Sequence, residues 1–266
     1  MRWKQLSLAC MAGGILCCSL TMSGQTKLSA DGKATFSYSG DTGSGFWDEI
    51  NSACATTSSS RQSPINIDET RVDPNLTPLD TQLEKTSFTL KNPGYTVVAT
   101  PETAGTLYLN GTTFTLLQFH FHTLSEHTIK GERPVMELHA VFEDADGHYA
   151  VIGVLYRIGK PNPFLAKILS AGLPEKTTSS EVTVKDLDLA TAFTDLSRYY
   201  TYSGSLTTPP CSETVTWLLL GKQSELSASQ FQEFRKVLGN DFRPLQAKNG
   251  RVVRSSLGRY HDNDDN

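Results

Sequence analysis

From Gln118 to His122 the chain alternates polar and aromatic residues: Gln118, Phe119, His120, Phe121, His122. In a β-strand successive side chains point to opposite faces, so Gln118, His120 and His122 share one face and Phe119 and Phe121 the other. The run Val135 to Phe142 repeats the pattern, with Glu137, His139 and Val141 on one side and Met136, Leu138, Ala140 and Phe142 on the other. If the two strands share a sheet, three imidazoles converge. The stretch from Gln118 to His139 holds four of the chain's six histidines, and the chemistry is placed there.

Strands dominate from Thr96 onward. Asn110-Gly111, between Leu107 to Leu109 and Phe114 to Leu117, is a strong hairpin signal because both central residues of that turn need positive φ. Asp146-Gly147 joins the His139 strand to Tyr149 through Ile158, and Thr214 to Leu220 reads as a further apolar strand. Two short helices are expected. Asn162 caps the first, with Pro163 at its first position, Phe164 to Ser170 as its body and Gly172 as its stop. Ser227 and Gln230 form a capping box for Phe231 to Leu238, which ends at Gly239. Phe36 to Ile50 shows neither period and reads as an ordered loop layer. No second composition regime appears, and 266 residues fit one β-rich domain behind a leader.

That leader is read from Arg2 and Lys4, the apolar run Leu6 to Leu20, and small residues at Thr21 and Ser23. Its core is too short to span a bilayer, which takes about 20 apolar residues. Residues 1–23 are therefore expected to be a signal peptide and 24–266 the mature domain, although a cut after Ala30 also fits. A secreted or periplasmic location follows, with no transmembrane span in the mature chain. Of the five cysteines only Cys54 and Cys211 then remain, and an even count in a secreted chain reads as disulfide-bonded. Removing Arg2 and Lys4 leaves 22 basic residues of 24 against 28 acidic ones, a balance that points away from nucleic acid and anionic membranes. Asn75 and Asn110 stand in glycosylation acceptor sequences, used only in a host that glycosylates them.

Zinc binds imidazole nitrogen, and a catalytic zinc keeps three protein ligands and one open position. His120, His122 and His139 supply that number. Gln118 and Glu137 lie where an amide and a carboxylate accept the far imidazole N–H, which fixes the tautomer and raises basicity. His120, His122 and Glu126 also match the H-x-H-x3-E spacing of cupins, which bind iron or manganese, but no glycine-proline-glycine run leads toward His139.

Further downstream comes Tyr202 to Trp217, YSGSLTTPPCSETVTW. Together with QSPINI at Gln62 to Ile67, QFHFH, SEH at Ser125 to His127, ELH at Glu137 to His139 and FRP at Phe242 to Pro244, it closely resembles the α-class carbonic anhydrases. The match runs in order from about Tyr38 to Arg254. The resemblance implies a mainly β (α+β) fold, a large twisted and mostly antiparallel central sheet with short peripheral helices. It implies a zinc enzyme hydrating carbon dioxide reversibly to bicarbonate and a proton, by attack of zinc-bound hydroxide at the bottom of a cone-shaped cleft.

Carried over position by position, the resemblance makes His120, His122 and His139 the Zn2+ ligands and Gln118 and Glu137 the acceptors behind the first and third. The second ligand is held by a backbone carbonyl, placed at Asp241. Thr207 matches the gatekeeper hydroxyl, Glu126 the carboxylate to which it donates, and Thr208 faces bicarbonate. Val141, Val151, Leu206, Val215 and Trp217 match the carbon dioxide pocket, joined there by Thr207 and Thr208. Cys54 with Cys211 matches a bridge of secreted, particularly bacterial, members, tying the N-terminal layer to the Thr207 loop.

One position departs from the pattern. Fast members carry a proton-shuttling histidine in an Asn-Gly-His context, and here the run is Asn92-Pro93-Gly94-Tyr95, with Val98 where a polar residue often stands. A phenol of pKa about 10 does not ferry protons near neutrality as an imidazole of about 6.5 does. His148 and His261 are the remaining candidates. The competing reading is an inactive carbonic-anhydrase-like binding module, which would be expected to lose a ligand. The chain is expected to be a monomer or a dimer.

Overall fold

The computed structural model describes residues 36–176 and 180–256, so the expected leader and His261 lie outside the described residues. Its centre is a 13-stranded mixed sheet. From one edge the strands run Val182–Leu187, Thr86–Lys91, Val98–Pro101, Thr112–His122, Met136–Glu143, Tyr149–Ile158, Val215–Leu220, Tyr199–Gly204, Val253–Ser255 and Thr70–Val72. Most neighbours are antiparallel. The exceptions are Tyr149–Ile158 against Val215–Leu220 and Ser224–Leu226, and Val253–Ser255 against Thr70–Val72.

The two histidine strands are direct neighbours, and their register sets His120 opposite His139 and His122 opposite Glu137. Alternation does the rest. Phe119, Phe121, Met136, Leu138, Ala140 and Phe142 enter the main core, where Phe119 meets Phe164 at 5.7 Å and Phe121 meets Phe234 at 4.7 Å between ring centroids. Those partners belong to the two longer helices, Pro163–Ala171 and Ala228–Leu238. The first helix opens on Asn162 Oδ1 accepting from Leu165 N–H, and the second opens on a complete Ser227–Gln230 capping box. Gly172 and Gly239 close them at φ +94° and +73°, which only glycine adopts without strain. The Asn110-Gly111 turn has φ +50° and +85°, as a primed hairpin turn requires.

Two local features differ from simple alternation. The ladder between the histidine strands pairs Leu116 with Phe142 and then Gln118 with Val141, leaving Leu117 as the extra residue of a β-bulge. The bulge changes phase, so that Phe114 and Leu116 face the core before it and Phe119 and Phe121 face it after. The Phe36 to Ile50 layer, expected as loop, contains short 3-10 turns and a one-turn helix at Trp47–Ile50. Its aromatic residues compensate for the lack of periodicity. Phe36, Trp47, Cys54 and Cys211 form a separate buried cluster, with Tyr38 and Tyr95 packed against it.

Cys54 and Cys211 are joined across 157 residues. The bridge fastens the N-terminal layer to the segment that follows Thr207 and Thr208, so its loss affects both. Replacing both cysteines by serine should lower stability by roughly 2–5 kcal/mol in denaturant unfolding, and should lower hydration activity at temperatures well below the melting transition. Unchanged activity and melting temperature would show that the bridge anchors neither.

Candidate metal centre and active-site cleft

His120 and His122 leave the end of the long Thr112–His122 strand and His139 comes from the middle of its neighbour. Each ring has one nitrogen occupied. His120 Nδ1 lies 2.8 Å from Gln118 Oε1, His122 Nδ1 lies 2.5 Å from the Asp241 backbone oxygen, and His139 Nε2 lies 2.8 Å from Glu137 Oε1. Amide, carbonyl and carboxylate oxygens only accept, so each of those ring nitrogens carries its proton. The lone pairs then sit on His120 Nε2, His122 Nε2 and His139 Nδ1.

These three nitrogens face a common point and lie within 4.8 Å of one another. His120 Nε2 and His139 Nδ1 are 3.3 Å apart, although neither has a proton to offer the other. His122 Nε2 is fully buried and has no hydrogen-bond partner. Converging lone pairs repel unless a cation sits between them. Zinc–nitrogen bonds of about 2.0–2.1 Å in a tetrahedron set nitrogens roughly 3.3 Å apart, so the donor set fits zinc.

Burial, then mutual repulsion from His122 and His139, holds the His120 pKa well below its usual value, keeping the ring neutral for ligation. His139 is likewise lowered, chiefly by burial. At His122 burial opposes protonation, but Glu126 and Asp241 outweigh it and raise the value. Glu137 is fully buried, yet His127 and His139 overcome that burial and hold it well below the ordinary carboxylate range.

His127 is the residue whose role sequence reasoning left unassigned. Its Nδ1 donates to Glu137 Oε1 at 2.7 Å, and its Nε2 lies 2.6 Å from the Tyr202 hydroxyl, which also lies 3.0 Å from Ser63 Oγ. Glu137 Oε2 takes the backbone N–H groups of Glu126 and His127, both at 2.8 Å. The signal was present in the spacing of SEH and ELH, but only the fold shows that one carboxylate serves both histidines.

The metal centre opens into a cleft of about 580 Å3. Val141, Val151, Leu206, Thr207, Thr208 and Trp217 line it, as do Tyr95, Val98 and Gln118. Val215 is not among the lining residues; it is buried in the apolar cluster of Val141, Tyr149, Val151 and Trp217 that backs the wall. The bulge adds Leu117, which strict alternation would have turned into the core. Glu126 is fully buried, with Oε1 accepting the Arg243 backbone N–H at 2.7 Å and Oε2 without a partner. No hydrogen bond joins Thr207 to it among the described residues. His148 is exposed on the Asp144–His148 turn, 3.2 Å from Asp144, and does not line the cleft. A second groove, about 750 Å3 and lined by Tyr108, Thr201, Thr216 and Arg254 among others, contains no histidine.

A sheet of this topology carrying three inward imidazoles, each backed by an acceptor, defines a metal-site enzyme of the carbonic anhydrase type. The family model described as eukaryotic-type carbonic anhydrase matches residues 42–257. A carbonic anhydrase of Klebsiella pneumoniae is 40% identical over 222 residues, covering 82% of this chain and 89% of that protein. The solved α-carbonic anhydrase of Photobacterium profundum superposes with a TM-score of 0.77 at 36% identity, covering 82% of this chain and 99% of that one. The carbonic anhydrase of Thermovibrio ammonificans, solved with sulfanilamide, gives a TM-score of 0.77 at 35% identity over 82% of this chain and 98% of that one. The chain belongs to the eukaryotic-type (α) carbonic anhydrase family and is an enzyme of reversible carbon dioxide hydration.

Removing an acceptor behind a ligand typically costs 10- to 100-fold in metal affinity. Glu137→Gln should therefore weaken zinc binding by about that factor in chelator competition, because the amide cannot accept from both His127 and His139 and from two backbone N–H groups. Wild-type affinity in the variant would remove Glu137 from the metal's support.

Proposed function

We propose that His120, His122 and His139 hold zinc, that Glu126 and Thr207 orient the attack, and that the cleft above them receives carbon dioxide. The observation that carries the reading is the set of three imidazole nitrogens left free by the acceptors on the far side of each ring and gathered about one point, one of them buried with no hydrogen-bond partner. Zinc supplies a Lewis acid that brings the pKa of a water to about 7, a value that belongs to carbonic anhydrases as a class.

Glu126 has one oxygen committed to Arg243 and one available. A carboxylate can only accept, so a Thr207 hydroxyl turned to that free oxygen would donate, and the threonine oxygen would then offer its lone pair to the attacking oxygen. That fixes the direction of attack, the kind of positioning that contributes several powers of ten in rate. Val141, Val151, Leu206 and Trp217 give carbon dioxide an apolar resting place, and Thr208 meets the charged product.

Among the described residues, the titratable groups that line the cleft beyond the ligands are Lys91, Tyr95, Glu143 and Tyr149. None is an imidazole. Tyr95 packs on Phe36 with ring centroids 5.2 Å apart, a contact that docks the N-terminal layer. Proton export therefore falls to buffer. We also place the mature protein outside the cytoplasm, on the strength of the Cys54–Cys211 bridge and the leader-like first 23 residues. No helix among the described residues is long and apolar enough to cross a membrane.

Stopped-flow hydration by the zinc-loaded protein over a series of buffer concentrations tests this. Turnover should climb with buffer, and Tyr95→His should raise it at low buffer while leaving kcat/KM unchanged. Turnover indifferent to buffer would end the missing-shuttle reading, and absence of activity with zinc bound would favour the binding module.

A further inference from the structure

Among the described residues, two formally charged side chains other than the histidines line the cleft, Lys91 and Glu143. They are not equivalent. Lys91 Nζ lies 2.6 Å from Glu181 Oε1, so its charge is already compensated. Glu143 enters no ion pair with a described residue, and the group that meets it is neutral. Tyr149 stands opposite it in the ladder and donates a hydrogen bond to it. Burial first, then that bond and the charge of Glu143, push the Tyr149 phenol up to about 12, so it stays protonated through the working range.

The position of Glu143 follows from the strand. His139, Val141 and Glu143 occupy alternate places on one face. At about 3.4 Å per residue its Cα lies roughly 14 Å along the strand from that of the third ligand, with the apolar step of Val141 between. A net negative charge thus sits partway up an apolar wall, where it contributes nothing to binding carbon dioxide and repels the bicarbonate that leaves.

We infer that Glu143 selects the proton acceptor: it makes the cleft a docking place for nitrogen bases that become cations on protonation. This rests on the reading that no resident imidazole exports the proton. Each cycle is balanced as CO2 + H2O + B giving HCO3− and BH+, so the base B is a second substrate and BH+ a second product. A neutral heteroaromatic base meets apolar wall from Leu117, Val141 and Val151, and its protonated form gains the carboxylate. A base that is anionic before it accepts the proton is repelled on entry. Opposite charges leave by different sides, the cation along Glu143 and the anion away from it.

The test measures carbon dioxide hydration at constant ionic strength with two buffers of neighbouring pKa. One is a 1,2-dialkylimidazole, whose 2-alkyl group makes its ring nitrogen a weaker metal ligand than that of imidazole; the other is phosphate. The wild type should reach half-maximal turnover at a lower concentration of the imidazole than of phosphate, and added salt should narrow the gap. Glu143→Gln keeps a partner for Tyr149 and should raise the half-saturating imidazole concentration roughly two- to fivefold, the size of one partly exposed charge contact. It should leave kcat/KM for carbon dioxide unchanged, and Glu143→Asp should restore part of the preference. Equal buffer curves in the wild type, or a Gln variant that shifts both buffers alike, would overturn the inference while the shuttle-free enzyme stands. Buffer-independent turnover would overturn both, and an inactive zinc-loaded protein would overturn the functional reading beneath them.

Discussion

A carboxylate with no exposed surface is the constraint on which this site rests. Glu137 is worth burying only because every direction of its charge is met, by two backbone N–H groups and two imidazole N–H groups. Each of those donors is thereby fixed. The backbone pair holds the Glu126-His127 segment against the sheet, which places the Glu126 carboxylate 3.6 Å from His122 Nε2. The imidazole pair sets two tautomers at once. His139 must carry its proton on Nε2 and leave Nδ1 turned to the point the three rings share, whereas His120 and His122 leave Nε2, because their acceptors lie on the opposite side of the ring. A single unpaired donor lost from this set would leave a buried charge short of a partner, a cost well beyond that of an average hydrogen bond.

Arg243 performs a similar office for the parts of the chain that are far apart in sequence. Its backbone N–H holds Glu126, and its guanidinium donates to Gln62 Oε1, to the carbonyl of Ser63 and to the carbonyl of Cys54. It also lies 5.7 Å from the Trp47 ring. Burial lowers its pKa to about 10, which still leaves it charged at neutral pH. The N-terminal layer, the QSPINI segment and the buried Glu126 carboxylate therefore share one residue, Arg243, and the Cys54–Cys211 bridge adds a covalent link from the same layer to the loop beyond Thr208. The layer thus stands behind the cleft, and Tyr95, which lines the cleft, packs on the layer through Phe36.

How much of this can be read from residues alone depends on the range of the interaction. Alternation, caps and turn residues are local, so the two histidine strands, both helices and the Asn110-Gly111 hairpin were all legible. So was the pairing of ligand with acceptor at Gln118 and His120 and at Glu137 and His139, since both members lie on one strand face. The bulge at Leu117 was not legible, because an extra residue between two apolar positions leaves composition unchanged and shows only when a partner strand supplies the register. The burial of Glu126, the shared carboxylate of His127 and the clamp of Arg243 each require atoms brought from more than one segment. Val215 illustrates the converse: an apolar residue near a cleft carries no mark that says whether it forms the surface or stands behind it.

The same alternation explains why the cleft has two characters. On one strand face the sequence His139, Val141, Glu143 moves from metal to apolar wall to charge in two-residue steps, and on the neighbouring strand His120, Gln118 and the bulged Leu117 move from metal to amide to aliphatic side chain. Since the opposite faces of both strands are filled with aromatic and aliphatic core, neither strand can rotate or slip by one residue without turning imidazoles into the core and phenylalanines into the cleft. Sheet register and metal geometry are therefore one constraint. A chain that keeps its core must keep its three lone pairs aimed at one point, and what remains free to vary is the rest of the cleft wall: Val98 sits directly across the ladder from His120, whereas Glu143 lies four residues beyond His139.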